Sequence, residues 1–175
     1  MPNWGISQRG RDLKMKFPAI MSALLLQVSA VFANPSTQAS QDHILTLSGA
    51  IAEREIGLTR ADLLAFSQHQ IVTTTSVTDG PQTFEGFLIR DLLQTFEAEG
   101  DIVVARALND YRVEIPISDL ERFDVIGALS MDGAPLSPRD KGPIWIVYPR
   151  DDHPELQDIR YDTRWVWQLV SLYVQ

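Results

Sequence analysis

The stretch KGPIWIVYPRDDHPEL, Lys141 to Leu156, constrains the fold more than any other part of the chain. Its apolar run Ile144-Trp145-Ile146-Val147 has no polar face, and Pro143 and Pro149 flank it. A run this short and this apolar reads as a buried strand. Other elements have to cover a buried strand, so the rest of the chain must supply them. The run then breaks into Tyr148, Arg150 and further ionisable groups, which a strand end can present into a cleft.

The remaining segments supply more strands than helices. His43 to Ile51 alternates Leu45 and Leu47 with polar residues and ends at Gly49, as a strand with a turn or bulge does. Gln70 to Thr78 is rich in β-branched residues and reads as a strand. Ile102 to Leu108, Arg112 to Ile117 and Val125 to Met131 read the same way, with turns at Asp79-Gly80-Pro81, Asn109-Asp110 and Asp132-Gly133. Thr59 is placed to cap a short helix carrying Leu63, Leu64 and Phe66. Phe84-Glu85-Gly86-Phe87 leads into a helix over Ile89 to Glu99, with Gly100 as its stop. Ser118 caps a helical turn, and Tyr161 to Gln175 reads as a short helix followed by a strand. This order does not suit a doubly wound parallel sheet, and the expected class is mixed α+β, layered sheets with short helices.

The first 33 residues stand apart. Met15 to Ala33 has a basic start, an apolar middle and small residues at its end, the pattern of a secretory signal peptide cleaved before Asn34, with Met15 as the expected true start. Asn34 to Asp42 is polar and reads as a tether, leaving residues 43–175 as a single domain. The expected location is periplasmic, with no membrane insertion after cleavage. The chain carries a formal net charge of −8, and removing a basic leader makes the remainder more acidic still. Such a chain repels phosphate backbones and anionic lipid, which sets nucleic acid and membrane-surface binding aside.

The chain has no cysteine, which excludes thiolate catalysis, iron–sulfur clusters and cysteine-bound zinc. The chain has no nucleophile elbow, Gly-rich phosphate loop or dinucleotide fingerprint. Asp151-Asp152-His153 with Glu155 lacks a second histidine at helical spacing and reads as a solvated acidic loop. Three groups combine aromatic and polar side chains at loops or strand ends: Asn109-Asp110-Tyr111-Arg112, Lys141 to Arg150, and Arg164-Trp165-Val166-Trp167. Aromatic faces and cations suit a flat polar heterocycle, and carboxylates suit an edge rich in N–H donors. The plainer reading places Trp145 and one of Trp165 and Trp167 in the core, and Arg139-Asp140-Lys141 in a solvated loop.

Four blocks in order, FEGFLIRDLL, ALNDYRVEIP, DGAPLSPRDKGPIWIVYPRDD and RWVWQL, resemble the molybdopterin-binding domain of the sulfite oxidase family. The likeness spans roughly Ile44 to Val174 and is to a small, exported, single-domain branch. It implies a mixed α+β fold with a cleft for a pterin cofactor. Family enzymes hold molybdenum through the pterin and one cysteine on the strand before the first block. Here that strand offers Thr73, Thr74, Thr75 and Ser76, and a hydroxyl does not readily replace a soft thiolate on molybdenum. The leader also lacks an adjacent arginine pair, as expected for export of an unfolded chain without cofactor.

The resemblance therefore implies no catalytic residue and no metal. It implies a non-catalytic protein that binds a reduced pterin and regulates a membrane-bound enzyme of cyclic di-GMP turnover through that enzyme's periplasmic domain. Tyr148, Arg150, Arg164 and Trp165 or Trp167 would face the pterin. Asp110 or Glu114 would accept from its N–H groups, with Tyr111 nearby. Lys141 would orient the loop or meet a polar ligand tail, and Thr75 or Ser76 would line the floor. The alternatives are a molybdopterin-dependent oxidoreductase lacking the usual cysteine and an adaptor module with no small ligand.

Overall fold

A computed structural model describes residues 43–175. The signal segment Met15 to Ala33 and the tether Asn34 to Asp42 lie outside the described residues. In chain order the elements are β1 (His43–Gly49), β2 (Glu55–Thr59), α1 (Arg60–Leu64), β3 (Gln68–Thr73), β4 (Gln82–Leu88) and α2 (Ile89–Thr95). There follow β5 (Ile102–Ala107), β6 (Arg112–Pro116), α3 (Ile117–Arg122), β7 (Ile126–Met131) and β8 (Ala134–Pro135). The order closes with β9 (Trp145–Val147), a 3-10 turn (Pro154–Gln157), α4 (Ile159–Asp162) and β10 (Leu169–Val174).

Two sheets, one mixed and one antiparallel, organise these elements, as the α+β reading expects. One has the order β2-β1-β10-β5-β6, and the other β3-β4-β7-β8, with β9 also paired to β7. β1 and β10 run parallel, so the first and last described strands lie side by side. The other pairings are antiparallel.

Local chemistry sets the element ends. Thr59 closes a capping box on α1: the Asp62 N–H donates to Thr59 Oγ1 and the Thr59 N–H donates to the Asp62 carboxylate at 2.8 Å. These bonds satisfy backbone donors that a helix start leaves open. The Thr59 hydroxyl, donating to the Asp62 carboxylate at 2.7 Å, and then the Thr59 N–H hold that carboxyl below its usual range. Asp132 and Gly133 both take positive φ, giving the tight turn between β7 and β8. Gly86 of β4 lies so close to β7 that a Cβ there would stand 2.1 Å from the Gly127 carbonyl oxygen.

Several boundaries differ from the sequence reading. The β-branched run becomes β3 only as far as Thr73, and residues 74–78 form a loop. β2 was not foreseen, and Gln82 to Leu88 forms a strand where a lead into a helix was expected. α2 stops at Thr95, short of Glu99, because Glu97 takes a positive φ. Ser118 does not cap α3, which begins at Ile117 with no side-chain cap.

The core divides into two clusters, and β9 serves both. Ile144, Ile146 and Tyr148 belong to the larger cluster, with Leu45, Leu47, Phe87, Leu92 and Leu172. Trp145 and Val147 belong to the smaller one, with Ile71, Phe84, Ile126 and Leu136. Side chains alternate across a strand, so the apolar run supplies both faces of its sheet.

Candidate binding cavity

On the Trp145 side of β9 lies a cavity of about 250 Å³. Four parts of the chain meet around it: the loop after β3 (Thr75, Ser76, Val77), the β5–β6 turn (Asn109, Tyr111), Trp145 of β9, and the α4–β10 connection (Asp162, Thr163, Trp165, Val166, Trp167). Trp145 forms the aromatic centre, with the Trp165 ring centroid at 6.4 Å and that of Trp167 at 6.3 Å, both steeply tilted to it. Val77, Tyr111 and Trp167 are 47%, 44% and 38% exposed, and therefore rim the mouth with apolar surface.

Polar contacts fix each wall. The Asp151 carboxylate accepts from the Thr74 N–H and hydroxyl, both at 2.7 Å, while the Asp151 N–H donates to Thr73 Oγ1. This ties the turn after β9 to the end of β3 and places the loop that follows. Within that loop Thr75 Oγ1 accepts from the Val77 N–H and bonds Thr78 Oγ1 at 2.8 Å. Across the cavity the Tyr111 hydroxyl donates to the Thr163 carbonyl at 2.9 Å, joining the β5–β6 turn to the α4–β10 connection. That connection is held from its other side by Arg164, which pairs with buried Asp119 of α3 and lies over the Tyr161 ring.

Five residues expected at the site line the cavity: Thr75, Ser76, Tyr111, Trp165 and Trp167. Six do not. Tyr148 is fully buried on the opposite face of β9 from Trp145, and its hydroxyl donates to Asp119 over a long 3.4 Å. Burial there pushes its phenol pKa well above the ordinary value. Arg164 points to Asp119, not into the cavity, because the ion pair satisfies its charge in the interior. Asp110 pairs with Arg106 at 2.9 Å on the outside of the β5–β6 turn. Glu114 stands exposed on β6, away from the lining residues. Lys141 pairs with Asp140 and lies 5.8 Å from the Trp145 ring centroid, behind the wall. Arg150 sits half-buried in the turn after β9, its N–H bonded to the Tyr148 carbonyl.

Six lining residues were not singled out as ligand contacts: Val77, Asn109, Trp145, Asp162, Thr163 and Val166. Trp145 is core and cavity wall at once, being fully buried yet part of the lining. Its indole N–H and that of Trp165 are buried without a hydrogen-bond partner. Asp162 is half-buried, and its carboxylate has no hydrogen-bond or ion-pair partner among the described residues. Among the described residues no three His, Asp or Glu groups gather closely enough to hold a metal ion. Glu155 instead pairs with Arg122.

The cavity can stack a flat ring against indole faces and offer one carboxylate, several hydroxyls and an amide to its edges. Its volume falls a little below the ~300–1,000 Å³ usual for small-molecule sites, which favours a compact ligand. The family model described as oxidoreductase molybdopterin binding domain matches residues 32–151. No curated protein matches the chain. Among solved structures it is similar to the sulfane dehydrogenase SoxCD from Paracoccus pantotrophus, with a TM-score of 0.59 and 18% identity over 77% of this chain. The chain spans 38% of the length of that solved chain, and the likeness is one of fold. The family match stops at residue 151, so Asp162 to Trp167 lie beyond it.

Proposed function

Because the chain belongs to the oxidoreductase molybdopterin-binding domain family, we propose that its cavity binds a pterin without molybdenum and that the protein acts as a binding protein, not an enzyme. The observation that carries the reading is the chemistry of the lining. Indole faces, a carboxylate and hydroxyls suit a pterin ring, and no thiolate is available because the chain has no cysteine. Thr75 and Ser76 stand in the loop just after β3, the strand on which the family resemblance implies the metal-binding cysteine. Their hydroxyls are poor substitutes for it on a high-valent, thiolate-preferring metal.

Trp145, Trp165 and Trp167 would enclose the ring, and Asn109, Thr75 and Ser76 would meet its polar edges. The two unpartnered indole N–H groups carry a cost of about 1–3 kcal/mol each. A small ring rotation onto a ligand acceptor would relieve it. The expected setting is the periplasm, and the expected partner is the periplasmic domain of a membrane-bound enzyme of cyclic di-GMP turnover. The apolar rim of Val77, Tyr111 and Trp167 supports a partner on the ligand's own face, where occupancy can alter affinity by differential contact. Family membership favours a second reading, a molybdopterin-dependent oxidoreductase.

The test uses protein purified from its native compartment. Metal content is measured alongside the fluorescence of ligand released and then oxidised. Pterin without molybdenum supports the binding-protein reading. Stoichiometric molybdenum overturns it in favour of the oxidoreductase.

A further inference from the structure

We propose that Asp162 determines which heterocycle the cavity accepts, by reading a 2-amino-4-oxo edge and rejecting a 2,4-dioxo edge. The inference rests on the pterin reading above and assigns the recognition to one side chain. Asp162 is the single carboxylate among the residues lining the cavity, and no lysine or arginine accompanies it there. It ends α4 and is half-buried. The two arginines nearest to it in sequence are engaged elsewhere, Arg164 with Asp119 and Arg160 with Asp158. Among the described residues no group donates to the two carboxylate oxygens of Asp162, which remain acceptors at the cavity wall.

A carboxylate is acceptor-only when ionised and can take two parallel N–H bonds, as it does from a guanidinium fork. The pyrimidine edge of a pterin offers the same pattern, with the ring N3–H and the exocyclic 2-amino group side by side. In a lumazine a carbonyl replaces that amino group. One carboxylate oxygen would still accept from N3–H, but the second would face the 2-carbonyl oxygen, unpaired and repelled by it. Sites that hydrogen-bond a ligand group reject an analogue lacking it far more strongly than apolar pockets reject a missing methylene, by up to about 10⁴–10⁵-fold when fully enclosed. Asp162 is only half-buried, so the expected preference is smaller, at least about 30-fold.

The probes are the reduced 7,8-dihydro forms of 6-hydroxymethylpterin and 6-hydroxymethyllumazine, which differ at the 2-position and in the N1–H that the 2-oxo ring carries, titrated into the purified protein by calorimetry or tryptophan quenching. The wild-type protein is expected to bind the pterin at least about 30-fold more tightly. Asp162→Asn converts one acceptor into an NH₂ donor, and is expected to bring the ratio below about 3-fold by weakening the pterin and strengthening the lumazine. The carboxylate has no partner in the fold to lose, so unchanged thermal unfolding of the variant is the control. Equal wild-type affinities for both probes, or an unchanged ratio in a folded Asp162→Asn variant, overturns the assignment while leaving the pterin reading standing. Failure of the wild-type protein to bind the pterin at all overturns both.

Discussion

Replacing Asp119 by Asn tests how the cavity wall is held. Asp119 and Arg164 are 12% and 22% exposed at their side chains, and the Tyr148 hydroxyl turns toward the same carboxylate. Removing one member of a fully buried pair costs about 3–5 kcal/mol, because the surviving charge stays desolvated without compensation. Arg164 retains some solvent contact, and an amide can still accept from its guanidinium, so about 2–3 kcal/mol is expected here. For a domain of this size that corresponds to a fall in Tm of roughly 6–15 °C, read by circular dichroism. The doubly substituted Asp119→Leu, Arg164→Met protein should recover most of the loss, since apolar replacements of similar volume remove both desolvated charges together. A double-mutant cycle completed with Arg164→Met isolates the coupling between them. If Asp119→Asn cost less than about 0.5 kcal/mol, the pair would be behaving as a solvated surface contact and the reasoning would fail.

Tyr148 should make the fold sensitive to alkali. Its folded-state pKa is raised above the ordinary 10.0, chiefly by burial and then by the Asp119 charge, so its contribution is intact below pH 10 and is lost as pH rises beyond it. Urea unfolding across that range should show the decline, and Tyr148→Phe should flatten it; an equal slope in the variant removes Tyr148 as the cause. Gly86→Ala should destabilise by about 2 kcal/mol or more, because the new methyl meets the β7 backbone and not a movable side chain. A urea midpoint unchanged from wild type would show that the two strands can separate freely at that point.

The strands and turns that announce themselves by local chemistry were legible. Thr59 with Asp62, Asp132 with Gly133, and the apolar run before Tyr148 all signal their conformation within a few residues. β4 was harder: Phe84-Glu85-Gly86-Phe87 adjoins a helix, and the Gly86 approach to β7 is a tertiary requirement that no local pattern displays. At the site, period-two alternation already implied that Trp145 and Tyr148 point to opposite faces of β9. It did not say which face opens onto a cavity. That depends on the loop after β3 and the α4–β10 connection, which approach from distant parts of the chain. Arg164 and Asp162 lie two residues apart, yet one turns to α3 and the other lines the cavity. The arginine drew attention because charge beside tryptophan suggests binding, while the aspartate sat outside the aromatic group.

The irregular wall from Asp162 to Trp167 meets a strand at one point, where the Ile146 N–H of β9 donates to the Val166 carbonyl at 2.9 Å, so the rest of its shape depends on what clamps it. Tyr111 holds the Thr163 carbonyl from the β5–β6 turn, and Asp119 holds Arg164 from α3. Asp162 and Trp165 lie on either side of those two anchored residues, and the Trp145 and Tyr148 rings both pack against Trp165. A loosened clamp would therefore alter ligand recognition through residues that never touch the ligand. Arg164, which looked like a binding element in the sequence, acts through its ion pair with Asp119 one layer behind the cavity, fixing the orientation of the groups that line it.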